Sequence, residues 1–184
     1  DRQTDKQKVS WDHFLTTPLT SIGQGRQSRN ESPHKKMWES QLGQDLDPFH
    51  TAAMEGWVGV MEAFFKEGYD VNQASHGMTA LGLATLKDQM GSIHFLLKHG
   101  ADVERGDVNS GWTPLHNAAF RGSLDVAKLL VDNGANVLSK HNKKWTPLHT
   151  ASFQGSVELC QFLIDKGGIE QINFRSDLDY VPLH

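Results

Sequence analysis

His50, His116, His149 and His184 occupy one recurring place in this chain of 184 residues, and histidines held in register are the first place to look for metal chemistry. Zinc reaches only about 2.0–2.1 Å to an imidazole nitrogen, so its ligands must converge on a point. Helices that pack side by side lie about 8–10 Å apart, so histidines carried one per repeat cannot share an ion without rearrangement. No metal and no cofactor is therefore implied. Cys160 is the single cysteine, which excludes an intrachain disulfide, and with no evident partner base in sequence it reads as a packed thiol. Cys-x-x-Cys, His-Glu-x-x-His, Gly-x-Ser-x-Gly and phosphate-cradling glycine motifs are all missing, so the sequence gives no handle for catalysis and the chain is expected not to be an enzyme. Arg105-Gly106-Asp107 and the acceptor triplet Asn30-Glu31-Ser32 are short enough to arise by chance, and nothing else points to the extracellular setting both would need.

The elements that position those histidines come from repetition. Thr113-Pro114-Leu115-His116 returns as Thr146-Pro147-Leu148-His149, an offset of 33 residues that marks stacked supersecondary units. Asp47, Thr79, Thr113, Thr146 and Val181 open successive units, 32, 34, 33 and 35 residues apart. An Asp or Thr side chain can accept from exposed backbone N–H groups at a helix start, and proline suits the first helical position. Thr79-Ala80 lacks the proline and Val181-Pro182 lacks the cap, so those two starts should be weaker. Each first helix carries a small pair: Ala52-Ala53, Ala84-Thr85, Ala118-Ala119 or Ala151-Ser152. Each second helix carries an apolar triplet, Ala63-Phe64-Phe65, Phe95-Leu96-Leu97, Leu129-Leu130-Val131 or Phe162-Leu163-Ile164, expected to form a buried wall. Gly56, Gly122 and Gly155 mark the turn between the helices. Gly68, Gly100, Gly134 and Gly167 stand where a left-handed C-cap is wanted.

Residues 1–46 are polar and nearly neutral, with seven basic and six acidic side chains, which predicts a disordered leader. Trp38, Leu42 and Leu46 recur every four residues, consistent with a capping helix near 36–46 or a transient one interrupted by Gly43. Thr17-Pro18 and Ser32-Pro33 are minimal proline-directed phosphorylation sites. The formal net charge is -4, and the repeat region alone holds eleven basic against sixteen acidic residues, so no nucleic acid is expected as a partner. No apolar run reaches the roughly 20 residues of a membrane span. The lone cysteine and the missing signal segment predict an intracellular, cytoplasmic setting. Asp1 at the start and Val181-Pro182-Leu183-His184 at the end, the latter opening another unit, suggest a fragment.

With Gly100-Ala101-Asp102-Val103 and Gly134-Ala135-Asn136-Val137 leading to Trp112-Thr113-Pro114-Leu115-His116 and Trp145-Thr146-Pro147-Leu148-His149, the arrangement resembles the ankyrin-repeat family over about residues 47–184. The resemblance implies an all-α solenoid of helix-turn-helix units joined by β-hairpin-like loops, with repeats at about 47–78, 79–112, 113–145 and 146–180 and a truncated fifth from 181. Three departures stand out: Asp88 replaces a turn glycine, Tyr69 replaces an alanine, and two extra residues lie within 168–173. The resemblance also gives the histidine a structural role, tying the helix start to the adjacent loop.

By the same resemblance the chain binds a protein or peptide on its concave face and performs no catalysis. Contact positions carried over by register include Met78, Leu86 and Lys87; Trp112, Phe120 and Arg121; Lys143, Trp145, Phe153 and Gln154; and Tyr180. Trp112, Arg121, Trp145 and Tyr180 are the expected anchors, because such side chains bury large areas while keeping a polar handle. Two readings of Trp112 and Trp145 stand side by side: partner anchors, or rings that stiffen the stack between neighbouring loops. Phe120 and Phe153 are expected to be exposed. Lys140, His141, Lys143 and Lys144 make one loop basic. The rival reading is a targeting or regulatory domain of a larger kinase, ubiquitin-ligase substrate adaptor or channel. Partner identity and oligomeric state are left open.

Overall fold

Each first helix starts where a side chain satisfies its open backbone donors. Asp47 accepts from the Phe49 N–H at 2.8 Å and opens α1 (Pro48–Glu55). Thr79 accepts from the Gly82 N–H at 3.1 Å and opens α3 (Ala80–Leu86) without a proline. Thr113 and Thr146 open α5 (Pro114–Arg121) and α7 (Pro147–Phe153), each in a reciprocal cap with the histidine three residues on. The partner helices are α2 (Val58–Lys66), α4 (Met90–Lys98), α6 (Leu124–Asp132) and α8 (Val157–Gly167). The computed structural model describes residues 46–177 and 181–182, all within the second of two units into which the chain divides, Leu42–His184. The leader up to residue 45, and with it the expected capping helix near 36–46 but for Leu46, lies outside the described residues, as do Leu178, Tyr180 and His184.

The described residues form the expected solenoid of helix pairs. Inner helices α1, α3, α5 and α7 pack in order, each against the next, with an outer partner behind each. The small pairs make this possible: Ala52, Ala53, Ala84, Ala118, Ala119 and Ala151 are all fully buried at the contact lines. Between repeats the chain runs out into a loop, here called a finger. The first is a two-stranded hairpin, β1 (Ala74–Ser75) with β2 (Met78–Thr79), antiparallel with Ser75 opposite Met78. The next two close with single bonds, Asp107 N–H to the Trp112 carbonyl and His141 N–H to the Trp145 carbonyl. Successive fingers are zipped to one another: Val108 N–H donates to Gly77, Asn142 N–H to Ser110 and Asp177 N–H to Lys143. Gly111 is required in this zipper. Its φ is 73°, and a Cβ there would lie 2.7 Å from Asn142 Oδ1.

Three expectations need correction. The triplets are not three-residue walls, because at 3.6 residues per turn three successive side chains cannot all point at the core, and in α2 none of the three is buried. Leu96, Leu130 and Leu163 are fully buried and Phe95 is buried beside Leu96, whereas Leu129 and Val131 are half-buried and Phe65 is exposed. The second correction is at Gly167, which continues α8. Gly168 makes the turn instead, at φ 86° and ψ 156°, a region nearly reserved for glycine. A 3₁₀ helix over Ile169–Asn173 then absorbs the extra residues, and Gln171 locks it by donating to the Leu163 carbonyl at 2.6 Å. Third, Phe120 is half-buried rather than exposed. Asp88 takes the turn that glycine takes elsewhere, with φ 60°. Tyr69 fills its enlarged site by stacking on Phe49 at 4.5 Å between ring centres, with Phe64 edge-on at 5.8 Å.

Candidate partner-binding face

The fingers and inner helices share one face, and its centre is built from rings. Trp112 immediately precedes the cap of α5, and its indole lies along the helix over His116 to meet Phe120 edge-on, at 6.2 and 5.7 Å between centres. One repeat later Trp145 lies over His149 at 5.9 Å and meets Phe153 edge-on at 6.0 Å. His141 joins the two sets, 5.7 Å from Trp112 and 6.3 Å from Trp145. The spacing Trp-x-x-x-His-x-x-x-aromatic places all three rings on one side of each inner helix, since steps of four residues stay on one face.

The histidines beneath these indoles are structural. His116 Nε2 donates to the Trp145 carbonyl at 3.0 Å, and its Nδ1 accepts from the Thr113 hydroxyl at 2.8 Å and backbone N–H at 3.3 Å. Both ring nitrogens are thus occupied, one on its own helix start and one on the next finger. His50 does the same toward Gln73 at 3.0 Å. Burial, reinforced by the neighbouring His141 and His149 and opposed by the Trp145 carbonyl, pushes the His116 pKa down to about 4. His141 is also lowered to about 4, by burial first and then by Lys143 and His149, with Asp177 opposing. Its Nδ1 accepts from the Lys143 N–H at 3.1 Å. Asp107, one repeat earlier, accepts from the Ser110 N–H at 3.1 Å to hold the same turn. A neutral imidazole has replaced a carboxylate.

Placed against the register-derived contacts, this face gathers Trp112, Phe120, Trp145 and Phe153 into one continuous ribbon. Phe153 is 72% exposed, and Trp112, Trp145 and Phe120 are half-buried. Lys87, Arg121, Lys143 and Gln154 are exposed at its margins. Met78 and Leu86 are 5% and 7% exposed and offer almost no surface, because one closes the hairpin over α3 and the other lies on a helix buried along its whole length. Tyr180 lies outside the described residues. The basic loop is less basic than its composition suggests: His141 is buried and neutral, and Lys144 Nζ is paired with Asp177 at 2.8 Å. Sequence reading missed the role of His141, which sits between the two tryptophans. Its signal was its register with Asp107.

No group of three or more His, Cys, Asp or Glu side chains that could hold a metal ion occurs among the described residues, and none of their helices is long and apolar enough to cross a membrane. The sequence profile of a family described as ankyrin repeats (3 copies) matches residues 30–107 and 105–175. Ankyrin repeat and SOCS box protein 5 of Oryctolagus cuniculus is 36% identical over 98 residues, 52% of this chain and 29% of that protein. Protein phosphatase 1 regulatory subunit 27 of Homo sapiens is 40% identical over 60 residues, covering 33% and 38% of the two chains. Tyrosine-protein kinase HTK16 of Hydra vulgaris is 29% identical over 94 residues, covering 50% and 12%. The chain spans well under half the length of each of these relatives.

Proposed function

This chain belongs to the ankyrin-repeat family, a protein-interaction module, and we propose that it acts without catalysis by holding a protein or peptide partner along the face that carries the aromatic ribbon. The observation that carries this reading is Phe153. A phenylalanine left 72% exposed at the end of an otherwise continuous ring array contributes little to its own fold and much to a surface that another molecule can cover. Trp112 and Trp145 serve both readings at once: Trp112 lies tilted over His116 and Trp145 stacks on His149, which stiffens the stack, and both residues stay half-exposed.

The test is selection of peptides from a random display library on this chain, followed by affinity measurement against Phe153→Ala and Phe120→Ala. Selected peptides are expected to lose about ten-fold or more in affinity for the double variant, with the helical melting curve nearly unchanged. Binders that ignore both substitutions would place the docking surface elsewhere. A second reading is favoured by the relatives: their names include a kinase, a phosphatase regulatory subunit and a SOCS-box protein, so the repeats serve as the targeting part of a larger protein. In that reading the same face selects the partner, and the remainder of the protein acts on it.

A further inference from the structure

Charge and spacing on the ribbon say more about its partner. The chain as a whole carries 22 acidic against 18 basic residues, yet α3, α5 and α7 contain no carboxylate. At the tips of the fingers that precede them, 74–79, 107–112 and 141–145, the single acid is Asp107, which is buried and occupied by turn amides. Lys87, Arg121 and Lys143 flank the ribbon, exposed and without an ion-pair partner among the described residues. An acidic molecule has thus kept carboxylates out of the ring-bearing helices and finger tips and kept unpaired cations beside them, while the nearby acid Asp177 is already paired with Lys144. Such a face attracts a negatively charged partner and repels the rest of its own kind.

The ring pairs add a period. Trp112 with Phe120 and Trp145 with Phe153 repeat on adjacent inner helices, and such helices stand about 8–10 Å apart. A polyproline II peptide advances about 9 Å per three-residue turn, so every third residue meets an equivalent ring pair. A β-strand repeats its side every two residues, about 6.6 Å, and falls out of step. The chemistry of the rings agrees. Trp145 Nε1 is buried without a hydrogen-bond partner, so what Trp145 shows to solvent is ring carbon, suited to an apolar proline ring.

We propose that the ribbon docks an extended acidic peptide in polyproline II conformation, with prolines three residues apart seated on the Trp112–Phe120 and Trp145–Phe153 pairs and carboxylates beside Arg121, Lys143 and Lys87. This rests on the reading of that face as the partner-binding one. Its test is fluorescence anisotropy with three dye-labelled synthetic peptides: one with proline at every third position and glutamates between, one with alanine at the proline positions, and one with lysine for glutamate. The first is expected to bind about ten-fold tighter than either control, and less tightly as salt is raised. Phe153→Ala, Arg121→Glu and Lys143→Glu should each weaken it about five-fold while leaving the circular-dichroism melt in place. Equal binding of the alanine peptide, or equal binding of the lysine peptide, overturns the proposal, as does indifference to all three substitutions. If display-selected peptides of another chemistry still depend on Phe153, only this partner class fails. If they too ignore Phe153, the binding face itself is lost.

Discussion

At Asp88 the backbone stands at φ 60°, where Gly56, Gly122 and Gly155 make the equivalent turns at 81°, 72° and 73°. A residue with a Cβ is strained there by roughly 1 kcal/mol or more, although aspartate tolerates the region better than most. Asp88→Gly is therefore expected to stabilise the chain by about 0.5–1 kcal/mol after the entropic cost of glycine, seen as a higher denaturation midpoint at unchanged slope. A lower midpoint would mean that the Asp88 side chain gives more than its backbone costs. His116 and His141 set a second residue-scale behaviour. Both have folded pKa values near 4 against 6.5 when free, so between those limits the unfolded chain binds more protons. Stability from these two groups is complete above about pH 6.5 and is lost as pH falls toward 4. Thermal melts should show a falling midpoint over that window, and His116→Gln with His141→Asn should make the fall shallower. An equally steep fall in the double variant would assign the acid sensitivity to other groups.

Within an element, position on the helix decides what a leucine contributes. In α6 Leu130 is fully buried against the stack, while Leu129 is half-buried at the edge of the same core. Leu130→Ala should cost about 2–5 kcal/mol as a buried large-to-small change, and Leu129→Ala distinctly less. Urea denaturation of the pair reads the difference directly, and equal costs would mean that α6 is rotated from the orientation described. The starts of the inner helices behave alike for a different reason. Thr113 is caught between its helix and its histidine, so Thr113→Ala loses the hydroxyl contact to His116 as well as the cap and should cost about 1–2 kcal/mol. The same change at Thr79, whose side chain has only the Gly82 N–H to satisfy, should fall at the lower end.

Across the whole described stack, stability is uneven. Every residue of α3 is buried between neighbours on both sides, whereas in α2 Met61 alone is buried. In a solenoid each repeat leans only on its neighbours, so local opening follows local burial. Amide exchange should be slowest in α3 and α5 and fastest in α2, with the finger amides of Val108 and Asn142 protected by their bonds to the preceding finger. Uniform protection from α2 to α8 would instead indicate a single cooperative block. The binding face follows the same geography: its best-buried part, Met78 and Leu86, is scaffold, and its half-exposed and exposed rings lie over the repeats of α5 and α7.

The sequence by itself determined the solenoid, the helix starts and the loop fingers, because these rest on local rules repeated at a fixed offset. Asp47, Thr79, Thr113 and Thr146 cap the helices they precede, and the small pairs let those helices meet. The tertiary structure decided what no single repeat contains. Which members of an apolar triplet face inward, two in α4 and none in α2, depends on the rotation of an outer helix against its partner, and which glycine ends α8 depends on where the extra residues find room. The ring ribbon is of the same kind: Trp112 and Trp145 are 33 positions apart in the chain and are brought to either side of His141 only by stacking. Burial of His141 follows from that neighbourhood too, since side chains from two fingers surround it and hold it neutral where composition alone counted one more base in a basic loop.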